Sequence, residues 1–481
     1  MQIAGSETIR DAEQALFRSG RMSSAELMDA VVQRLHQAFR EEPLLQPMLH
    51  ARQVVVYAGK GNNAGDAIGL AAALGRPVVL RFACPPECLS ADSLQQLKKL
   101  QTPLSVSPPE PGEGLLILDG LLGSGAAGTL RAPYAELVEE LNALRAASPR
   151  SLTLALDIPT GLGMPNSPAV QADVTASIGC VKPMMLADDA ADAVGRILCI
   201  PLPEVELPPN AARDVLDVPL VRSWQPRRAY SCFKNRAGRV VVVAGSPGML
   251  GAAQMAAEAS VAAGAGLVVL YVRREAYPLL AARVTPEVMV RCVDSYAEIE
   301  EPSAQALLIG PGLGMLPAAE AAALEQLAAH FPGPVVLDAD ALNAAAREGW
   351  QLCPHWILTP HPGEMRRLYP TAAAERITAA TRFVERGGCT LLLKGARSII
   401  AGADGRIFYN ASGGPYMANG GQGDVLGGVL AALAAQGWPP VEATAAAAWA
   451  CGRAAEFAWA AAGYPPAVPA MQVLRALPQV L

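Results

Sequence analysis

The sequence predicts an α/β protein built from two three-layer halves. Short runs of Val, Leu and Ile alternate with helical patterns, and the series occurs twice. Between the two series Pro201, Pro203, Pro208, Pro209, Pro219 and Pro226 break any periodicity. Composition is the third observation: 52% of the 481 residues are apolar and 17% are charged. That is enough for two large cores, and it excludes disorder as the dominant state. Unbroken apolar strands separated by helices are buried on both faces, which means parallel sheets. The expected division is a domain over 1–205, a proline-rich linker over 206–228 and a domain over 229–481.

In the first half, 53–58, 77–83, 115–119 and 152–157 read as strands, with helices over 65–74 and 133–145. In the second, 239–244, 267–272, 306–309, 335–338, 356–359 and 390–394 read as strands. Helices are expected over 251–263, 324–331, 373–386, 423–436 and 441–461. The pieces 398–401 and 406–409, joined by Ala-Asp-Gly, read as a hairpin. The many alanines predict helices that approach closely through small side chains.

The 44 acidic residues outnumber the 38 basic ones, which opposes general nucleic-acid binding. No apolar run reaches the ~18–20 residues of a membrane helix, and the start lacks a secretory pattern. The nine cysteines include no C-x-x-C pair and are expected to be reduced and mostly buried. A soluble, cytoplasmic protein is expected.

Three strand ends in the first half carry chemistry. VVVYAGKGNNAGD ends a strand in a glycine-rich turn that opens a helix, where backbone N–H groups can meet an anion. LILDGLLGSG ends on Asp119, and ALDIPTG on Asp157. Strand carboxyl ends meet at the ligand crevice of an open α/β sheet. Asn62, Asn63, Asp66, Asp119, Asp157 and Thr160 therefore converge on either a hard cation or a proton-transfer site.

The segments GNNAGD, DGLLGSG and DIPTGL resemble the GNNGGDG, DALLGTG and DIPSGL signatures of the NAD(P)H-hydrate epimerase family, over about residues 6–205. The resemblance, which includes TIRDAEQ and ADVTASIGCVKPMM, implies a Rossmann-like fold. It places substrate at Asn62, Asn63, Ala64, Gly65, Asp66, Gly123, Ser124, Gly125, Ala126, Ala127, Gly128, Thr129 and Asp157. It implies potassium held by Asn63, Asp119 and Thr160, with Asp157 moving the proton. Ala64 and Ala67 replace family glycines. If a glycine there takes positive φ, alanine costs about 1 kcal/mol and shifts the loop.

The sharpest motif is NGGQGDVLGG, residues 419–428. Glycines open a helix whose first N–H groups form an anion hole, and Asp424 sits inside it. A carboxylate there suits activation of a hydroxyl that attacks a phosphoryl group. GPGLG, DADALN, TPHPGEM and LKG end other strands. Together these segments resemble the ADP/ATP-dependent NAD(P)H-hydrate dehydratase family over about residues 229–481, which implies a ribokinase-like fold. The resemblance places the hydrated dinucleotide at Gly251, Ala252, Gly312, Gly314, His361 and Asp424. It places the adenine nucleotide at Lys394, Gly395, Ala396, Arg397, Ser398 and Gly423. It further implies Mg²⁺ with ADP or ATP, the substrates NADHX and NADPHX, no nucleic-acid or membrane partner, and a homo-oligomer. The family's His-Lys-Gly before the first strand is Phe233-Lys234-Asn235 here, a departure expected to alter substrate positioning. Two rivals stand beside this reading: a ribokinase-like small-molecule kinase, and a dehydratase whose first domain is weak or purely structural.

Overall fold

The computed structural model describes residues 1–208, 213–370 and 375–481. The chain forms two compact units, Met1–Asn210 and Ala211–Leu481. The first holds strands β1 (Gln53–Ala58), β2 (Val78–Phe82), β3 (Leu104–Ser105), β4 (Leu115–Gly120), β5 (Leu152–Leu156), β6 (Val174–Ile178) and β7 (Arg196–Ile200). They form one parallel sheet in the order β3-β2-β1-β4-β5-β6-β7. Alternation along β1 shows why it is a central strand. Val54, Val56 and Ala58 enter one core with the helices Ser24–Glu41 and Asn62–Leu74. Val55 and Tyr57 enter another with Leu137, Val138 and Leu141 of the helix Tyr134–Ala147. The result is three layers.

The second unit holds β8 (Arg213–Val215), β9 (Arg239–Val243), β10 (Leu267–Arg273), β11 (Val288–Val293), β12 (Ala306–Ile309), β13 (Val335–Leu337), β14 (Trp356–Leu358), β15 (Thr390–Leu393), β16 (Ser398–Ala401) and β17 (Ile407–Asn410). Their order is β11-β10-β9-β12-β13-β14-β15-β16-β17-β8. β9 through β15 pair in parallel, and β16 pairs antiparallel with both β15 and β17, which is the expected hairpin. Val240, Val242 and Ala244 face a core shared with the helices Leu250–Ala262, Gln422–Ala435 and Pro440–Ala461. Small side chains set the spacing there. A Cβ added at Gly428 would lie 2.1 Å from the Ala256 carbonyl oxygen.

Part of the proline-rich stretch enters the second unit's fold. β8 pairs with β17, and Asp217 caps the helix Val218–Trp224 by accepting from Leu220 N at 3.0 Å. The start of the helix expected over 373–386 lies outside the described residues; its described part is Arg376–Gly387. Only Cys180, Cys389 and Cys451 of the nine cysteines are buried, which corrects the expectation of mostly buried thiols, and none of the nine is in a disulfide. Among the described residues no helix is long and apolar enough to cross a membrane.

Candidate functional site

In the first unit the strand order reverses between β1 and β4. Connections leave these neighbours towards opposite faces, which opens a crevice at their carboxyl ends. Asp119 ends there, wholly buried. Its Oδ1 accepts from Thr160 Oγ1 at 2.8 Å and Leu121 N at 3.2 Å, and its Oδ2 accepts from Thr160 N at 2.8 Å. Burial pushes the carboxyl up to about 6, against the lowering effect of these bonds.

Asp157 follows β5 at φ +67°, a conformation that costs of order 1–3 kcal/mol in a non-glycine residue and clusters at functional sites. Its Oδ1 pairs with Lys182 Nζ, and its Oδ2 accepts from Ser124 N at 2.7 Å. Lys182 is 1% exposed and also donates to the Ile178 carbonyl at 2.9 Å. Burial acts to raise Asp157, but the Lys182 charge and the hydrogen bonds outweigh it and hold the group below the ordinary carboxylate range. Asp66 moves the opposite way: burial, then Asp157 and Glu13, push it well above that range. Glu13 is raised too, by burial first and then by Asp157. Carboxyl groups pushed apart in this way are suited to separate acid and base roles.

The structure brings Asn63, Gly123, Ser124 and Asp157 together. A Cβ on Gly123 would sit 3.0 Å from Asp157 Oδ2 and 3.7 Å from Asn63 Cγ. Both polar atoms of the Asn63 side chain are buried without a hydrogen-bond partner, so the pocket leaves an amide to be satisfied by something bound. Gly125 approaches the Arg10 guanidinium, and Ala126 N closes a turn onto Gly123 O at 3.2 Å. Ala127, Gly128 and Thr129 are exposed, as is Asn62, whose Oδ1 accepts from Ser90 Oγ at 3.3 Å. Ala64 and Gly65 are buried in helix packing, with Gly65 against Met28 and Ser93. Sequence reasoning missed Lys182, Glu13 and Arg10 as site residues. Their signal was the VKPMM and TIRDAEQ segments, which carried resemblance but no assigned side chain.

Ala64 and Ala67 lie inside the helix Asn62–Leu74, and neither has positive φ. The expected backbone penalty therefore does not arise. Space is the relevant issue. A Cβ at Gly120 would sit 2.6 Å from the Ala67 Cβ, and the DALLGTG signature has alanine at the position of Gly120. The methyl group has changed sides across one helix–strand contact. Gly120→Ala is expected to lower stability by ~1–3 kcal/mol through overpacking. Adding Ala67→Gly should return most of that loss, leaving the 3.0 and 3.2 Å contacts with Asn63 O and Tyr57 O. Denaturant midpoints of the two single variants and the double variant check this.

In the second unit the order reverses between β9 and β12. Gly310 follows β12, and a Cβ there would lie 1.8 Å from the Asp338 carbonyl oxygen, so the two strand ends are nearly in contact. Gly312 and Gly314 have φ of +62° and +72°. Gly312 packs on Met249 and Ala252 at the start of the helix that carries Gly251. Gly314 N donates to Asp340 Oδ2 at 2.7 Å.

The helix Gln422–Ala435 begins at Gly421, which is left-handed at φ +93°. A Cβ on Gly423 would sit 3.4 Å from Lys394 Nζ and 3.6 Å from Asp338 Oδ2. Lys394 Nζ donates to Asp338 Oδ1 at 2.5 Å. Asp424 is half-buried in the first turn of this helix. Burial, then the Asp338 charge, push it up to about 6, with Lys394 pulling down and Asp340 adding to the rise. A carboxyl with this value is ionised at neutral pH and is a better base than an ordinary aspartate.

His361 caps the helix Pro362–Leu368: its Nδ1 accepts from Gly363 N at 2.9 Å and Glu364 N at 3.3 Å. This leaves Nε2, on a half-exposed ring, facing Glu364 at 3.4 Å. In the loop after Lys394, Gly395 N donates to Ser398 Oγ at 3.3 Å, the Arg376 guanidinium lies against Gly395, and Arg397 is buried. Ala396 lies between them, exposed. Sequence reasoning left Asp338, Asp340 and Glu364 without roles. Phe233-Lys234-Asn235 lies elsewhere: a Cβ on Gly266 would strike the Lys234 carbonyl oxygen at 1.9 Å. This is the amino end of β10, opposite the end carrying Lys394 and Asp424. Within its own unit the segment therefore lies at the opposite end of the sheet from these two residues.

A sequence model described as YjeF-related protein N-terminus matches residues 23–184. One described as NAD(P)H-hydrate dehydratase matches residues 240–479. A bifunctional NAD(P)H-hydrate repair enzyme of Moorella thermoacetica is 33% identical over 449 residues, covering 84% of this chain and 83% of that protein. Its counterpart in Salinibacter ruber is 34% identical over 484 residues, covering 90% and 88%. The crystal structure of a ribokinase-like superfamily protein from Enterococcus faecalis matches with TM-score 0.50 at 26% identity, covering 57% of this chain and 97% of that one. The chain belongs to the family of bifunctional NAD(P)H-hydrate repair enzymes.

Proposed function

We propose that the first unit interconverts the R and S forms of hydrated NADH and NADPH at C6, and that the second dehydrates the S form with ADP. The observation that carries the reading is Asp424, an aspartate of raised basicity at a glycine-opened helix start beside Lys394. Asp424 takes the proton of the C6 hydroxyl as its oxygen attacks the β-phosphorus of ADP. The helix N–H groups and Lys394 absorb charge on the transferring phosphoryl, and AMP leaves. The ring nitrogen's lone pair then expels phosphate, and loss of a C5 proton restores the double bond. The sum is NAD(P)HX plus ADP giving NAD(P)H, AMP and phosphate. Mg²⁺ would arrive with the nucleotide and would neutralise part of its charge; the carboxylates around Lys394 suit a ligand that brings its own cation. Gly251, Ala252, Gly312, Gly314 and His361 hold the hydrated dinucleotide, and Lys394–Ser398 with Gly423 hold ADP or ATP.

In the first unit Asp157, kept anionic by Lys182, moves the proton at the hydrate, with the loop from Gly123 to Thr129 against the substrate. Potassium fits the orphaned Asn63 amide, the buried Asp119 carboxylate and the Thr160 hydroxyl. When bound it would supply a fixed positive charge to the crevice. Asn63→Ala is expected to raise the potassium needed for half-maximal epimerisation by about tenfold or more, while S-form dehydration is unchanged. Titration of epimerisation with KCl at constant ionic strength checks it.

The test of the whole reading is a mixture of hydrated NADH epimers given to the full chain with ADP or ATP. NADH should return completely, with one inorganic phosphate per NADH. A stable phosphoester without NADH would establish the kinase instead.

A further inference from the structure

Asp338 occupies the cap position of the helix Ala339–Glu348, yet its side chain accepts no hydrogen bond from that helix. An aspartate there ordinarily satisfies the first-turn N–H groups. Here the carboxylate is 2% exposed and directed elsewhere. Its Oδ1 accepts from Thr359 Oγ1 at 2.8 Å and from Lys394 Nζ at 2.5 Å. Its Oδ2 faces Gly423 and Gly427, 3.6 and 3.9 Å from where Cβ atoms would sit. Ala339, the next residue, has φ +48°, a region that non-glycine residues avoid. A buried side chain, a forgone cap and an unfavourable backbone accompany the contacts with Thr359 and Lys394.

We propose that Asp338 is a positioning residue for phosphoryl transfer: it fixes the Lys394 ammonium over Gly423, so that ammonium and helix N–H groups converge on one phosphate. The proposal rests on the dehydratase reading of this unit. Asp338 is the group common to both reacting partners. Lys394 is faced by Asp338, Glu364 and Asp424, and Asp424 by Asp338, Asp340 and Lys394. Asp338 therefore has two effects that can be measured separately. It aims the lysine, and its negative charge opposes ionisation of Asp424.

The experiment compares the full chain with Asp338→Asn and Lys394→Met, measuring kcat, binding of Mg²⁺-ADP by calorimetry and the pH–rate profile. In Asp338→Asn, kcat for NADH recovery should fall about 10–100-fold as the lysine loses its aim. ADP binding should weaken by less than about threefold or should tighten, because a charge that repels phosphate has gone. The acid limb should move to lower pH. In Lys394→Met, ADP binding should weaken and the acid limb should move to higher pH. A role in folding alone predicts that kcat and binding fall together in Asp338→Asn with the acid limb unmoved; that result overturns the proposal, as does wild-type kcat. If Asp338→Asn does not fold, an unmoved limb in Lys394→Met overturns it. If the wild type recovers no NADH with either nucleotide, the dehydratase reading fails instead. In that case ADP binding lost in Lys394→Met but kept in Asp338→Asn still supports the placement of the lysine.

Discussion

Asp424→Asn is expected to slow nucleotide-driven recovery of NADH by about 10²–10⁴-fold, the range associated with loss of a positioned general base. Epimerisation should be untouched. In the wild type the rate should rise with pH through a limb near 6, where the group ionises. The same shift has a consequence for stability. The folded-state value lies above the ordinary 3.8, so the folded protein holds this proton more tightly than the unfolded chain does. Stability from this source is complete below 3.8 and is lost as pH rises through about 6. At neutral pH the ionised group therefore weakens the fold, and the inactive asparagine variant should be the more stable protein. Allowing for remaining solvent contact, the gain is about 1–2 kcal/mol. Melting at pH 7 and pH 4 checks it, and the advantage should vanish at the lower pH.

Asp157→Asn should leave R-form hydrate unconsumed while the S form drains normally, a loss of about 10²–10⁴ in epimerisation. Chiral separation of residual hydrate measures this directly, and rapid consumption of both forms would refute the assignment. Lys182→Met should have the wider effect. It leaves Asp157 buried near Asp66 and Glu13 without a cation, and removing one member of a buried pair destabilises by about 3–5 kcal/mol. The sign with pH follows from the lowered folded-state value of Asp157. The wild-type pair contributes its stability above the ordinary carboxylate value and loses it as pH falls through the depressed one. The variant should therefore approach the wild type in stability at strongly acid pH.

The parts of the sites that follow the chain were legible in the sequence. Glycines before a helix, and aspartates ending strands, state their position in the residues themselves. Lys182 and Asp338 were not legible in this way. Each owes its role to a partner 25 or 56 residues away, brought close by the order of parallel strands. The pattern repeats in both units: a strand-end aspartate is paired with a lysine from a later segment, and an aspartate or its neighbour takes positive φ. Several of the missed strands interrupt the apolar signal. β6 reads VTASI, with Thr175 and Ser177 buried through hydrogen bonds to Val194 O and Cys180 O. β11 is an edge strand with Met289 exposed, and β8 lies in proline-rich sequence. His361 was read correctly as a residue at a strand's end, but its ring also caps a helix, a role its flanking prolines do not disclose.

The Ala67–Gly120 contact also makes two positions interdependent. The signatures place glycine and alanine at these two positions, and this chain has them reversed. Two single changes lead from one arrangement towards the other, and the one that leaves both methyls in place meets a 2.6 Å separation. The combination with glycine at both positions carries no such contact and should be tolerated better than the one with both methyls. The same asymmetry warns against placing the signature's alanine at position 120 by itself, since the two methyls would then be overpacked.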